Sequence, residues 1–192
     1  MKISNGVDKT VIGLDMDGVI VDFSLIKQKI AAEHGFSIAL NETPSDIIKN
    51  IIPAPALERI KNSLFIDGPH RFSIPLMPGV KDALDEIAKK GVPIVLISRR
   101  KRPDVAEEVL RRHGLWPKYF NTDNTFFVRE REAKDVVARM HNVTHYIDDE
   151  PSIIAVLHSV RNKILFDPFN VYKDADSYRR CLGWEDTRKF LQ

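Results

Sequence analysis

The sequence predicts an α/β fold, a doubly wound parallel sheet of Rossmannoid type with a small helical cap inserted after the first strand. Three observations carry that expectation. Short apolar runs alternate with longer helical patterns, acidic and hydroxyl residues follow directly on several of the runs, and one long segment interrupts the alternation.

Val11-Ile12-Gly13-Leu14 reads as the first buried strand, and similar runs stand at 92–97, 125–128, His145-Tyr146-Ile147 and 163–166. Between them, Val80, Ala83, Leu84, Ile87 and Ala88 recur at helical spacing, and Gly91 after Lys89-Lys90 is a C-terminal stop. Further helical patterns cover 105–113, opened by Pro103-Asp104 and closed by Gly114, then 132–141 and 151–158. Strand and helix in alternation imply right-handed crossovers and a parallel sheet covered on both faces. From about Asp22 to Pro75 no convincing buried strand occurs, while 25–34, 45–51 and 56–64 have helical character. This predicts a core of residues 1–21 and 76–192 with a helical cap at 22–75, hinged near Val21-Asp22 and Ser73-Pro75.

With 192 residues, 43% hydrophobic and 29% charged, the chain can bury one sizeable core and is not of disordered composition. A formal charge of +2 does not announce a nucleic-acid partner, although Arg99-Arg100-Lys101-Arg102 is a local basic run. The single cysteine, Cys181, allows no internal disulfide, and no signal-peptide pattern or membrane-length apolar run is visible. The expectation is a protein of the cytoplasm.

Open parallel sheets gather their sites beyond the carboxyl ends of the strands. Asp15 and Asp17 follow the first run there, Ser98 the second, and Asp148-Asp149 the run ending in Ile147, while Lys134 sits early in the helical pattern before that run. One aspartate after a strand is often only a helix cap. Two pairs at two strand ends, if the strands are neighbours, crowd up to four carboxylates together, and their repulsion demands a cation or proton uptake. Hard oxygen ligands favour Mg²⁺, which also accepts a substrate phosphate in its shell. Gly18 supplies the turn that lets Asp15 and Asp17 face one site. One carboxylate can then attack phosphorus while the other handles the proton of the leaving oxygen, with Ser98 and Lys134 serving the phosphoryl oxygens.

Asp15-Met16-Asp17-Gly18-Val19, the run ending in Ser98, Lys134, and Ile147-Asp148-Asp149 resemble, in order, the four motifs of the haloacid dehalogenase-like (HAD) superfamily, over about Val11 to Phe166. Within it the chain is most similar to the 5'(3')-deoxyribonucleotidases. That likeness rests on the run from Asp15 to Phe23, on Pro75-Leu76-Met77-Pro78-Gly79-Val80, and on Ile164 to Asn170 followed by Trp184. The resemblance implies that Asp15 is a nucleophile forming an aspartyl-phosphate and Asp17 the general acid/base. It implies that Ser98 and Lys134 hold phosphate. Mg²⁺ would be bound by the Asp15 carboxylate, the Asp17 main-chain carbonyl and a carboxylate of either Asp148 or Asp149. The substrate implied is a small phosphorylated metabolite, with nucleoside monophosphates preferred, and the insert is the cap that closes over it.

Arg99, next to Ser98, is a candidate to grip a second phosphate or acidic group, or else to pair with an exposed carboxylate of the cap or following helix. Asp22 suits a helix cap, and the six histidines show no metal-ligand spacing. The insert has no Trp, so Phe23, Phe36, Phe65 and Phe72 are its candidates for an aromatic wall, core packing being their other use. The competing functions are a polynucleotide end phosphatase using Arg99 to Arg102 as a backbone groove, and a non-catalytic metal- or phosphate-binding protein of the same fold.

Overall fold

The structure, a computed structural model, describes residues 9–66, 74–187 and 189–190. Six parallel strands form one sheet in the order β3-β2-β1-β4-β5-β6: β1 is Ile12–Leu14, β2 Ile94–Arg99, β3 Thr125–Val128, β4 His145–Asp148, β5 Asn162–Phe166 and β6 Arg179–Cys181. The doubly wound α/β architecture expected from the alternation is the one observed. Its central strand, β1, pairs with β2 and β4, so strands far apart in sequence end side by side.

Period-two alternation sends consecutive residues to opposite faces. Leu96, Ile147, Ile164 and Phe166 join one hydrophobic cluster, whereas Val95, Ile97, Tyr146 and Leu165 join the other. Both faces are therefore dry, as a parallel sheet requires.

Among the described residues between β1 and the crossover helix stand three α-helices, α1 at Ser24–Glu33, α2 at Ser45–Ile48 and α3 at Ala54–Phe65, with a short 3-10 turn at Leu40–Glu42. Their apolar residues, among them Ile30, Ile48, Ile52, Ile60 and Leu64, merge with the first cluster. Asp22 is not the cap expected of it, since the N-cap of α1 is Phe23 with no side-chain cap bond; its Oδ1 instead accepts the Ser24 N–H at 2.8 Å in a local turn ahead of the helix. The chain leaves and re-enters the sheet side by side, since Val21 bridges Leu76 antiparallel and Met77 N–H donates to Ile20 O at 2.9 Å. Ser73, part of the expected hinge, lies outside the described residues, as do Phe72 and the side chain of Phe65.

The crossovers after the insert are α4 (Val80–Lys89), α5 (Pro103–Arg112), α6 (Ala133–Met140) and α7 (Pro151–Ile154). The last is shorter than its pattern over 151–158, because the chain unwinds after Ala155 while still burying Leu157 and Val160 against the second cluster. A sixth strand and a closing turn, α8 at Trp184–Thr187, were not legible in the sequence. Arg179-Arg180-Cys181 has no apolar run, and its place comes from pairing with β5. Trp184 is buried, and its indole N–H donates to Val19 O at 2.8 Å, tying the C-terminal segment to the turn after β1. No helix among the described residues is long and apolar enough to cross a membrane.

Candidate active site

Asp15 continues β1 by one residue: its N–H donates to Ile147 O at 2.9 Å, so its side chain and that of Asp148 emerge from adjacent strand ends. Both are buried. Across from them α6 delivers Lys134, whose Nζ lies 2.7 Å from Asp15 Oδ1 and 2.7 Å from Asp148 Oδ2. Burial works against this ammonium, but the carboxylates of Asp148 and Asp15 outweigh it and hold its pKa well above the ordinary lysine value. Lys134 is therefore a cation. Beneath it lies Tyr146, ring centroid 5.7 Å away, whose hydroxyl donates to Ile97 O at 2.8 Å.

Asp149 completes the acidic group. One carboxylate oxygen each from Asp15, Asp148 and Asp149 lie within 4.8 Å of one another. Gly18 makes room for it: at φ +73° the glycine adopts the left-handed region, and a Cβ there would stand 2.2 Å from Asp149 Oδ2. The charge balance of these carboxylates against one ammonium is incomplete. Burial pushes Asp149 well above the ordinary carboxylate range, with Asp148, Glu150 and Asp15 adding to it. Burial also pushes Asp148 up to about 7, with Lys134 pulling the other way. Three converging hard oxygen ligands short of positive charge fit a divalent cation.

Asp17 stands two residues beyond Asp15, and its carboxylate is paired with the guanidinium of Arg100. Burial raises its pKa to about 6, with Arg100 holding it lower than burial alone would. The Arg100 side chain is only 8% exposed, and its guanidinium lies 5.8 Å from the Phe23 ring centroid. Sequence reading missed it by treating 99–102 as one basic run. The signal was the strand period, by which residues 98 and 100 share a side of the chain leaving β2.

Ser98 is buried at the end of β2. Arg99 is exposed and pairs loosely with Glu150, Nη2 to Oε2 at 3.5 Å. Asp15, Asp17, Ser98, Arg99, Lys134 and Asp148 all line one cavity of about 470 Å³ between the strand ends and the insert. On the insert side the described apolar lining is aliphatic, with Ile48, Leu57, Ile60 and Leu64. Phe23 is instead buried in the core and Phe36 packs against it. Insert and sheet also meet directly around the cavity: Ser152 donates from N and Oγ to Asp46 at 3.2 Å each, and Lys101 pairs with Glu58 at 3.2 Å. Cys181 is buried away from this group, and burial pushes its thiol up to about 12, which leaves no reactive thiolate.

No protein-family model and no curated protein sequence matches the chain. Solved structures do, over nearly its whole length. A HAD family hydrolase from Deinococcus radiodurans, with bound phosphate and sodium, superposes with a TM-score of 0.66 at 15% identity, covering 96% of this chain and 95% of that one. A HAD-superfamily hydrolase from Ehrlichia chaffeensis gives 0.62 at 17% identity, covering 95% and 96%. One from Geobacter sulfurreducens, of subfamily IA, gives 0.58 at 16%, covering 98% and 99%. At such identities the likeness is one of fold, and the fold is that of HAD-type hydrolases.

Proposed function

We propose that this chain is a Mg²⁺-dependent phosphatase that hydrolyses a phosphate monoester of a small metabolite through an aspartyl-phosphate on Asp15. The observation that carries the reading is the joint hold of Lys134 on Asp15 and Asp148, with Asp149 in ligand reach of both. A non-catalytic binding protein has no need of a buried carboxylate oriented in this way with a second, proton-exchanging carboxylate beside it.

In this reading Asp15, Asp148 and Asp149 would hold the cation, and the Asp17 carbonyl would serve as a further ligand. The cation would neutralise the carboxylates and the phosphoryl oxygens as charge develops there. Lys134 and Ser98 orient the phosphoryl group. Asp15 attacks phosphorus as the ester P–O bond breaks, and Asp17 delivers its proton to the departing oxygen. Asp17 then takes a proton from water, whose oxygen attacks phosphorus; the bond to Asp15 breaks and inorganic phosphate leaves.

In this reading the hydrolase core is 1–21 with 76–192 and the cap is 22–75, and the cavity lined by described residues of both suits a small molecule. The deoxyribonucleotidase likeness favours nucleoside monophosphates. The cytoplasm is the proposed compartment, supported by the single, buried thiol. A panel of phosphorylated metabolites assayed with Mg²⁺ tests the whole reading. Release of phosphate that stops with excess chelator is expected, and phosphate release from no member, p-nitrophenyl phosphate included, would sink it.

A further inference from the structure

The cavity has more positive charge than one phosphate needs, and part of the surplus stands on the wall after β3. Arg100 is paired with Asp17, Arg99 with Glu150, Lys101 with Glu58 and Arg102 with Asp104. Arg129 and Arg131 differ: both line the cavity, and neither side chain has an ion-pair or hydrogen-bond partner among the described residues. Arg131 is partly buried, and its Nε is shut off from solvent with nothing to accept its N–H. A donor held dry without an acceptor costs free energy, and such groups in folded proteins ask for an explanation.

The position of the two arginines supplies one. They lie in the segment joining β3 to α6, three and five residues before Lys134, with Arg131 O accepting the Lys134 N–H at 3.1 Å. β3 is the edge strand beside β2, so this wall flanks Ser98 and Lys134 rather than the acidic group under β1 and β4. A phosphoryl group over Asp15 is served by Lys134 and Ser98, which leaves the Arg129–Arg131 wall for something else on the same molecule. The insert side of the cavity adds aliphatic side chains together with Lys27, which donates to Thr43 O, Lys49, which pairs with Asp46, and Lys61, and these cations stand on the insert rather than on the wall after β3.

We infer that Arg129 and Arg131 form a subsite for a second anionic group, phosphate or carboxylate, so that the preferred substrate is a phosphate monoester carrying a second negative charge. This rests on the phosphatase reading above and narrows its substrate class. Guanidinium forks suit either oxyanion, because both present paired oxygens to parallel N–H donors.

The test uses matched pairs that differ in the second anion alone: thymidine 3',5'-bisphosphate against thymidine 5'-monophosphate, fructose 1,6-bisphosphate against fructose 6-phosphate, and 3-phosphoglycerate against glycerol 3-phosphate. Each competes with p-nitrophenyl phosphate in excess Mg²⁺. In at least one pair the doubly anionic member should inhibit with a constant about tenfold lower, the worth of one charge-assisted contact pair. The first two pairs report phosphate and the third carboxylate. Within each variant the ratio of the two constants is read, so a general loss of activity does not enter it. Arg131→Gln and the exposed Arg129→Gln should each bring the ratio towards one, and Arg131→Lys should keep part of it. Ratios near one in all three pairs for the unaltered protein overturn the proposal, as does a ratio that survives in the double variant. Should p-nitrophenyl phosphate not be hydrolysed at all, it is the phosphatase reading that fails. The subsite is then decided by melting temperature: greater protection by the doubly anionic members, lost in the arginine variants, upholds it, and equal protection overturns it.

Discussion

The ring of Tyr146 lies across the main chain of Gly13: a Cβ at position 13 would stand 2.4 Å from Tyr146 Cδ2 and 2.8 Å from Cε2. Tyr146 belongs to β4 and its hydroxyl reaches the Ile97 carbonyl of β2, so the side chain spans the central strand to do so. Only a residue without a side chain on that face leaves the passage open. The ring then forms the floor under Lys134, which links a glycine in the first strand to the placement of the ammonium between two carboxylates.

Gly13→Ala should therefore destabilise the fold by about 1–3 kcal/mol, the usual cost of overpacking, and should lower activity beyond what the stability loss explains. Tyr146→Phe leaves the passage intact and removes the hydroxyl alone, costing about 1–3 kcal/mol for a buried carbonyl left unpaired. Urea unfolding of both variants checks the figures. Wild-type stability in Gly13→Ala would mean that the ring moves aside freely.

The two aspartates of the first motif should fail differently. Asp15→Asn removes the attacking carboxylate, so neither turnover nor a covalent phosphoryl-enzyme should survive above background. Asp17→Asn keeps the nucleophile and removes the proton donor, so esters with poor leaving groups should lose far more rate than an activated aryl phosphate. With the activated ester, phosphoryl-enzyme should accumulate, because no base remains to prime water. Rapid-quench labelling with both classes of ester decides it, and equal losses in the two variants would mean that the acid/base is misassigned.

Arg100 should control the pH at which Asp17 works. Burial raises that carboxyl to about 6 and the guanidinium pulls it back, so Arg100→Gln should raise it further. As a general acid Asp17 acts in its protonated form, so kcat/KM for an alkyl phosphate falls as pH rises through its pKa. In Arg100→Gln that fall should move to higher pH. A limb that stays where it is, or moves down, would show that the Arg100–Asp17 pair does not govern the proton transfer.

Gly18→Ala should weaken the metal site without replacing a ligand. The new methyl would collide with the Asp149 carboxylate, and φ +73° is a conformation that alanine adopts only with strain. Titration of Mg²⁺ against activity should show a higher half-saturating concentration than in the wild type, with Asp149→Ala as the reference for loss of that carboxylate. Unchanged metal dependence would place Asp149 outside the coordination sphere.

By itself the sequence determined the layered α/β fold, the interruption after the first strand, and the stations at which Asp15, Asp17, Ser98, Lys134, Asp148 and Asp149 stand. These are local matters: apolar period, turn residues and the polar side chain that ends a buried run are all written within a few residues of each other. Tertiary structure alone decided which of them meet. Sheet order puts β1 between β2 and β4, and only that order lets Lys134 reach Asp15 and Asp148 together and lets Tyr146 cross Gly13. The pairing of Arg100 with Asp17, the docking of Trp184 under Val19 and the sixth strand also join residues far apart in the chain. Such contacts depend on how packed layers bring side chains within a few ångströms of one another, and no short-range pattern encodes that distance.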